Sequence, residues 1–140
     1  MRTLDELLRE AEERIERLSP AGALEATRAG ALLVDIRSEL SREREGVIPG
    51  AIHIPRSVLE WRFEPGGAWR NPHVGGLDQQ VVVVCDHGYS SALAAAMLVR
   101  LGYERVGDVL GGFVAWCEAG LPTRPAGERH EGLAGMNGPD

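Results

Sequence analysis

The sequence predicts an α/β protein in which a parallel sheet is sandwiched between helices. Short valine- and leucine-rich runs alternate along the chain with stretches of helical composition, the order that builds parallel sheets. The four valines Val81, Val82, Val83 and Val84 form a β-branched run that reads as a strand buried on both faces. Directly after them Cys85-Asp86-His87-Gly88-Tyr89-Ser90-Ser91 forms a short loop, and the alanine- and leucine-rich segment from Ala92 onward reads as a helix. A cysteine thus leaves the carboxyl end of a buried strand, the edge at which open α/β sheets bind ligands.

Taken in order, Thr3-Leu4-Asp5-Glu6 is a capping-box pattern, and Leu4, Leu7, Leu8, Ala11 and Ile15 recur behind it at helical spacing. Ile15-Glu16-Arg17-Leu18 fits either the end of that helix or a short edge strand. Ser19-Pro20 starts a second helix, a cap followed by proline at the first helical position, and Gly30 closes it. Residues 31–37 read as a buried strand ending in polar groups, and residues 38–45 as a charged, exposed stretch. Pro49 and Pro55 bracket a short strand around Ile52. Residues 56–61 read as a helix, followed by a glycine- and proline-rich loop over residues 62–76, long enough to cover the Cys85 site. Residues 106–110 form a last strand, and Gly111-Gly112 turns into a final helix closed by Gly120. The expected organisation is an amphipathic helical extension over 1–18, a domain over 19–122, and a polar, glycine-rich, disordered tail over 123–140.

A chain of 140 residues suits one domain, and 44% hydrophobic residues with no long apolar stretch argue against a membrane span. Charge from Arg2 onward argues against a secretory signal. Two cysteines, distant in sequence, are no disulfide framework and fit a reducing cytoplasm. The net charge of −6 argues against nucleic acid or an anionic membrane as partner. All fifteen basic residues are arginine, which excludes Schiff-base and P-loop lysine chemistry. No CxxC or HExxH spacing points to a metal, and no cofactor is expected.

The cysteine loop carries the chemistry. Successive N–H groups in such a turn form an anion nest, and the following helix adds partial positive charge. Both favour the thiolate, which is the nucleophile. Gly88 permits a left-handed turn, and Ser90 or Ser91 can cap the helix. Cys117, beside Trp116 on an apolar helix, reads as packing.

Three motifs resemble the rhodanese-like domain family. Val34-Asp35-Ile36-Arg37 is similar to its Asp-x-Arg strand end. Residues 45–55, Glu45-Gly46-Val47-Ile48-Pro49-Gly50-Ala51-Ile52-His53-Ile54-Pro55, resemble its Gly-His-Ile-Pro-Gly-Ala-x-x-Ile-Pro segment, with Val47 in place of histidine. Leu110-Gly111-Gly112-Phe113-Val114-Ala115-Trp116, ending at Gly120-Leu121-Pro122, resembles its C-terminal signature. The resemblance implies a five-stranded parallel sheet in a three-layer sandwich and a sulfurtransferase whose Cys85 takes sulfur from a sulfane donor such as thiosulfate or a persulfide. Cys85 would hold it as a persulfide, stabilised by loop amides of residues 86–91, and pass it to a thiol or cyanide-like acceptor. It casts Asp35, Arg37 and Glu45 as structural support, and Arg56 and Arg62 as candidate substrate cations set against solvated surface arginines. Asp86 stands where the family loop often has arginine, and its charge repels a dianionic donor.

Two other readings compete. A sulfur-carrier or regulatory module of low turnover would keep the fold and lose most of the chemistry. Phosphatase or arsenate reductase chemistry would need an arginine to clamp a tetrahedral oxyanion, and the loop has none.

Overall fold

The computed structural model describes residues 1–127 and 132–140 of the chain. Five parallel strands form one sheet: β1 (Glu16–Leu18), β2 (Leu32–Asp35), β3 (Ile52–His53), β4 (Val81–Val84) and β5 (Val106–Val109), in the spatial order β1-β5-β4-β2-β3. Among the described residues six helices surround it: α1 (Leu4–Glu13), α2 (Pro20–Arg28), α3 (Glu39–Glu45), α4 (Leu59–Phe63), α5 (Ser90–Arg100) and α6 (Gly112–Glu118). The expected parallel α/β sandwich is the observed architecture.

Local chemistry sets the helix starts. Thr3 Oγ1 accepts from the Glu6 N–H at 3.1 Å and Ser19 Oγ from the Gly22 N–H at 3.0 Å, each satisfying an orphan donor of a first turn. The ambiguous segment before Ser19 is a strand: β1 pairs with β5, with Arg17 opposite Asp108. The charged stretch over 38–45 is α3 with Ser38 as its cap, the helix itself running Glu39–Glu45. The helix expected over 56–61 begins with a 3₁₀ turn, Arg56–Val58, and continues as α4.

The core lies in two layers, one on each face of the sheet. Val81, Val83 and Cys85 pack with Leu59 and Phe63 of α4 and with Ala94, Ala95 and Leu98 of α5. Val82 and Val84 face the other way, onto Ala23 of α2 and Phe113 and Trp116 of α6. This alternation is the two-residue period of a strand. With all four valines fully buried, each side chain contributes about 1.5–3 kcal/mol. β4 is therefore a rigid base for the cysteine at its end.

The described part of residues 123–140 differs from the expected disorder. Asn71 Nδ2 donates to the carbonyls of Gly135 and Asn137 at 2.7 and 3.1 Å, Asp140 pairs with Arg42 at 2.6 Å, and the Asp140 N–H donates to the Ala51 carbonyl at 2.7 Å. Composition missed this because the segment is held through its backbone and one carboxylate, not through apolar side chains. Residues 128–131 of that stretch lie outside the described residues. Among the described residues no helix is long and apolar enough to cross a membrane.

Candidate active site

Cys85 follows β4 and is 5% exposed. Its Sγ accepts the Gly88 N–H at 3.1 Å and the Ser91 N–H at 3.3 Å. The loop holds this shape because its carbonyls are claimed from outside. The Cys85 carbonyl accepts from the Phe113 N–H at 2.8 Å, the Asp86 carbonyl from the Val114 N–H at 3.2 Å, and the Gly88 carbonyl from Arg17 Nη2 at 2.6 Å. With these carbonyls held from outside, the loop keeps the Gly88 and Ser91 N–H groups directed at Sγ. Convergent donors of this kind stabilise negative charge on sulfur as an oxyanion hole does on oxygen.

Two glycines make this geometry possible. Gly88 has φ +87°, and a Cβ there would lie 2.8 Å from the Gly111 nitrogen. Gly112, with φ +64°, starts α6 so close beneath the loop that a Cβ would lie 2.5 Å from the Cys85 carbonyl oxygen. Any side chain at Gly112 would push α6 away from the carbonyls that it holds.

Ser91 is fully buried and does not cap α5; the N-cap is Tyr89, with no side-chain cap. The Ser91 hydroxyl instead donates to Asp108 Oδ2 at 2.8 Å. Asp108, fully buried on β5, also receives Nε and Nη2 of Arg17, each at 3.0 Å. Arg17 Nη1 reaches Glu12 of α1 at 3.1 Å. The hydrogen bond to Asp108 holds the Arg17 guanidinium above its ordinary range, burial opposes the rise, and the charges of Asp108, Glu12 and Cys85 add to it.

On the other flank Asp35 and Arg37 form a buried brace, with the exposed Glu45 at its edge. Arg37 donates to Asp35 through Nε at 3.0 Å and Nη2 at 2.8 Å, and to the Gly46 carbonyl at 2.8 Å. Glu45 approaches Arg37 Nη1 at 3.5 Å. The guanidinium lies 3.7 Å over the Phe113 ring, so it supports the residue whose N–H holds the Cys85 carbonyl.

The remaining residues singled out from sequence sit elsewhere or at the rim. Asp86 is half-buried, while His87, Tyr89 and Ser90 are exposed. Arg62, a candidate substrate cation, is 6% exposed and spends its donors on the Ala134 and Trp69 carbonyls at 2.7 and 3.1 Å. Arg56 pairs with Glu60 at 2.7 Å and lines a cavity of about 520 Å³ between α1 and α5, to which the cysteine loop contributes no residue. The loop over 62–76 bonds to α4 and to the C-terminal segment; Asn71, its buried anchor, holds Gly135 and Asn137. Cys117, read as packing, is exposed, at the edge of the α6 face that Phe113 and Trp116 bury. Partial burial nonetheless pushes its thiol up. The described residues contain no group of three or more His, Cys, Asp or Glu able to hold a metal.

Arg17 and Asp108 were not singled out from the sequence. One signal was present: a carboxylate inside the apolar run Val106-Gly107-Asp108-Val109 must be paired if buried. Which of fifteen arginines pairs with it depends on the β1–β5 register.

The Rhodanese-like domain family matches this chain over residues 19–119. The chain is 37% identical over 110 residues to the thiosulfate sulfurtransferase GlpE of Haemophilus influenzae (strain PittEE), covering 78% of this chain and 94% of that protein. It is 36% identical over 91 residues to a sulfurtransferase of Allochromatium vinosum, covering 65% of this chain and 76% of that one. A solved structure from Rhodopseudomonas palustris, described as a protein of unknown function and possible tyrosine phosphatase, superposes with a TM-score of 0.81 at 35% identity, covering 89% of this chain and 96% of that one.

Proposed function

The chain belongs to the rhodanese-like domain family, and from that premise we propose that it is a sulfurtransferase working through a persulfide on Cys85. The observation that carries this reading is the pair of N–H donors, from Gly88 and Ser91, converging on a cysteine at the end of the central strand. In the first half-reaction the Cys85 thiolate attacks the outer sulfur of a sulfane donor. A Cys85–sulfur bond forms as the donor's sulfur–sulfur bond breaks. With thiosulfate, sulfite leaves with the electron pair and Cys85 carries an anionic persulfide. In the second half-reaction a thiolate or cyanide attacks the outer sulfur, and Cys85 leaves as thiolate. No net oxidation and no cofactor are required.

The donors already on Sγ suit both states, because the negative charge stays within the loop throughout the cycle. Thiosulfate is the donor named for the Haemophilus relative, and sulfane sulfur from thiosulfate or a persulfide is the substrate class proposed here. Phosphate-ester chemistry fits less well. The loop holds no arginine, and the guanidinium beside it, that of Arg17, is occupied by Asp108 and the Gly88 carbonyl. A reducing compartment suits a reaction that needs Cys85 as a free thiol.

The test is cyanide-dependent release of thiocyanate, paired with mass spectrometry of the cysteine peptides after donor treatment. Wild type and Cys117→Ser are expected to be active and to carry one added sulfur on the Cys85 peptide. Cys85→Ser is expected to lose turnover and the added sulfur. Turnover that survives in Cys85→Ser would overturn the reading.

A further inference from the structure

We propose that Arg17, from the edge strand β1, is a positioning residue for the Cys85 site, because its single guanidinium anchors both residues that donate to the sulfur. Gly88, whose N–H reaches Sγ at 3.1 Å, is held through its carbonyl by Arg17 Nη2 at 2.6 Å. Ser91, whose N–H reaches Sγ at 3.3 Å, is held through its hydroxyl by Asp108 at 2.8 Å, and Asp108 is gripped by two arginine nitrogens at 3.0 Å each. The two amides that bind the sulfur therefore share one support. This inference rests on the persulfide reading above and names the residue that sets its geometry.

The planar fork explains why the residue is an arginine. Three donors in one plane meet two carboxylate oxygens and a carbonyl at once, which an ammonium on a flexible stem cannot do. The electrostatics run in the same direction. Asp108 is fully buried and, through Ser91, stands next to the sulfur. Unopposed, its charge would disfavour a thiolate or persulfide anion. Arg17 cancels it. The charged and titratable groups facing this guanidinium are Asp108 from β5, Glu12 from α1 and Cys85 itself, while Asp86 and His87 belong to the loop.

Arg17 lies outside the family match, which begins at residue 19. The loop itself contains no arginine. The cation that serves it comes from the strand that precedes the matched region, brought alongside by pairing between β1 and β5, where Arg17 is opposite Asp108.

The experiment follows alkylation of Cys85 by iodoacetamide across pH, read on its own peptide so that Cys117 serves as an internal reference, together with single-turnover persulfide formation from thiosulfate. Alkylation needs no sulfur donor, so it reports on positioning even if sulfur transfer itself were absent. In Arg17→Met, persulfide formation is expected to slow at least tenfold and the midpoint of the Cys85 alkylation profile to move to higher pH, while the Cys117 profile stays put. Arg17→Lys should fall between Met and wild type. In the double variant Arg17→Met, Asp108→Asn the midpoint should return toward wild type, because the uncompensated charge is gone, while persulfide formation stays slow because the Gly88 carbonyl is still released. Circular dichroism and thermal melts verify folding, and if Arg17→Met does not fold, Arg17→Lys decides. A folded variant whose Cys85 profile and persulfide rate both stay within twofold of wild type would overturn the proposal, whereas loss of sulfur transfer in wild type would overturn the persulfide reading alone.

Discussion

Two arginine–aspartate pairs flank the cysteine loop, Arg37 with Asp35 and Arg17 with Asp108, and their grips are nearly identical. In each, Nε and Nη2 meet the carboxylate, and Nη2 also donates to a glycine carbonyl, Gly46 for Arg37 and Gly88 for Arg17. Their settings differ. The Arg37 side chain is completely buried, with its guanidinium over Phe113, and its partner is two residues away in the chain. Arg17 keeps 24% of its side chain exposed, and its partner is 91 residues away. The same grip thus acts in two ways. The buried pair joins a strand end to the turn after α3 and supports α6. The rim pair joins the edge strand directly to the two residues that hold the sulfur. Loss of the first should show mainly as stability, loss of the second mainly as reactivity.

The sharpest way to break this contrast is Arg37→Met. It leaves the Asp35 carboxylate buried without its partner, a change that typically costs about 3–5 kcal/mol. Urea denaturation should show a loss of that size, while whatever protein remains folded should still form the Cys85 persulfide. A loss under about 1 kcal/mol would mean that the brace is not one. Arg17→Met is the counterpart. Asp108 is left buried too, but it keeps the Ser91 hydroxyl and Arg17 is itself partly exposed, so the stability loss should be smaller than for Arg37→Met, against a tenfold or greater loss in persulfide formation. If the two variants lost stability and reactivity in the same proportion, the division of labour between the pairs would fall.

A smaller effect concerns the charge the loop carries itself. Asp86 is half-buried and follows Cys85 directly in the chain, where a carboxylate would repel an anionic donor. Two unit charges about 4 Å apart near a protein surface interact by roughly 4 kcal/mol, and exposure and salt reduce this. Asp86→Arg should raise kcat/KM for thiosulfate severalfold, Asp86→Asn less, and high salt should remove part of the gain. An unchanged or lower value would mean that the side chain points away from the donor. The rim pair would then be the only charge arrangement of consequence at the site.

The smallest expected effect compares the two thiols. Burial pushes Cys117 above its ordinary value, with Arg37 pulling it down and Glu45 pushing it up. A raised thiol stays protonated longer as pH rises, so the midpoint of Cys117 alkylation should lie above that of an ordinary thiol. Arg37→Met should move it further up, whereas Arg17→Met should leave it alone. A Cys117 midpoint at or below the ordinary value would contradict this.

Much of this protein was legible in its sequence because the relevant physics is local. The valine run before Cys85, Ser19-Pro20 and Thr3 fix strand and helix starts within a few residues, and Gly88 marks the turn that only a positive φ permits. Asp35 and Arg37 are visible for the same reason: two residues apart at a strand end, they meet whatever the rest of the chain does. The C-terminal segment was not legible, since backbone carbonyls offered to Asn71 and Arg62 leave no mark on composition. Nor was the second pair. Asp108 within an apolar strand announces that a cation is needed, but its partner is fixed by the register of a three-residue edge strand against β5. Sequence alone therefore determined the strand end, the cysteine that follows it and the turn that presents that cysteine. Tertiary structure decided which arginine supports that turn, because a contact between residues 91 apart exists only once the whole sheet has assembled.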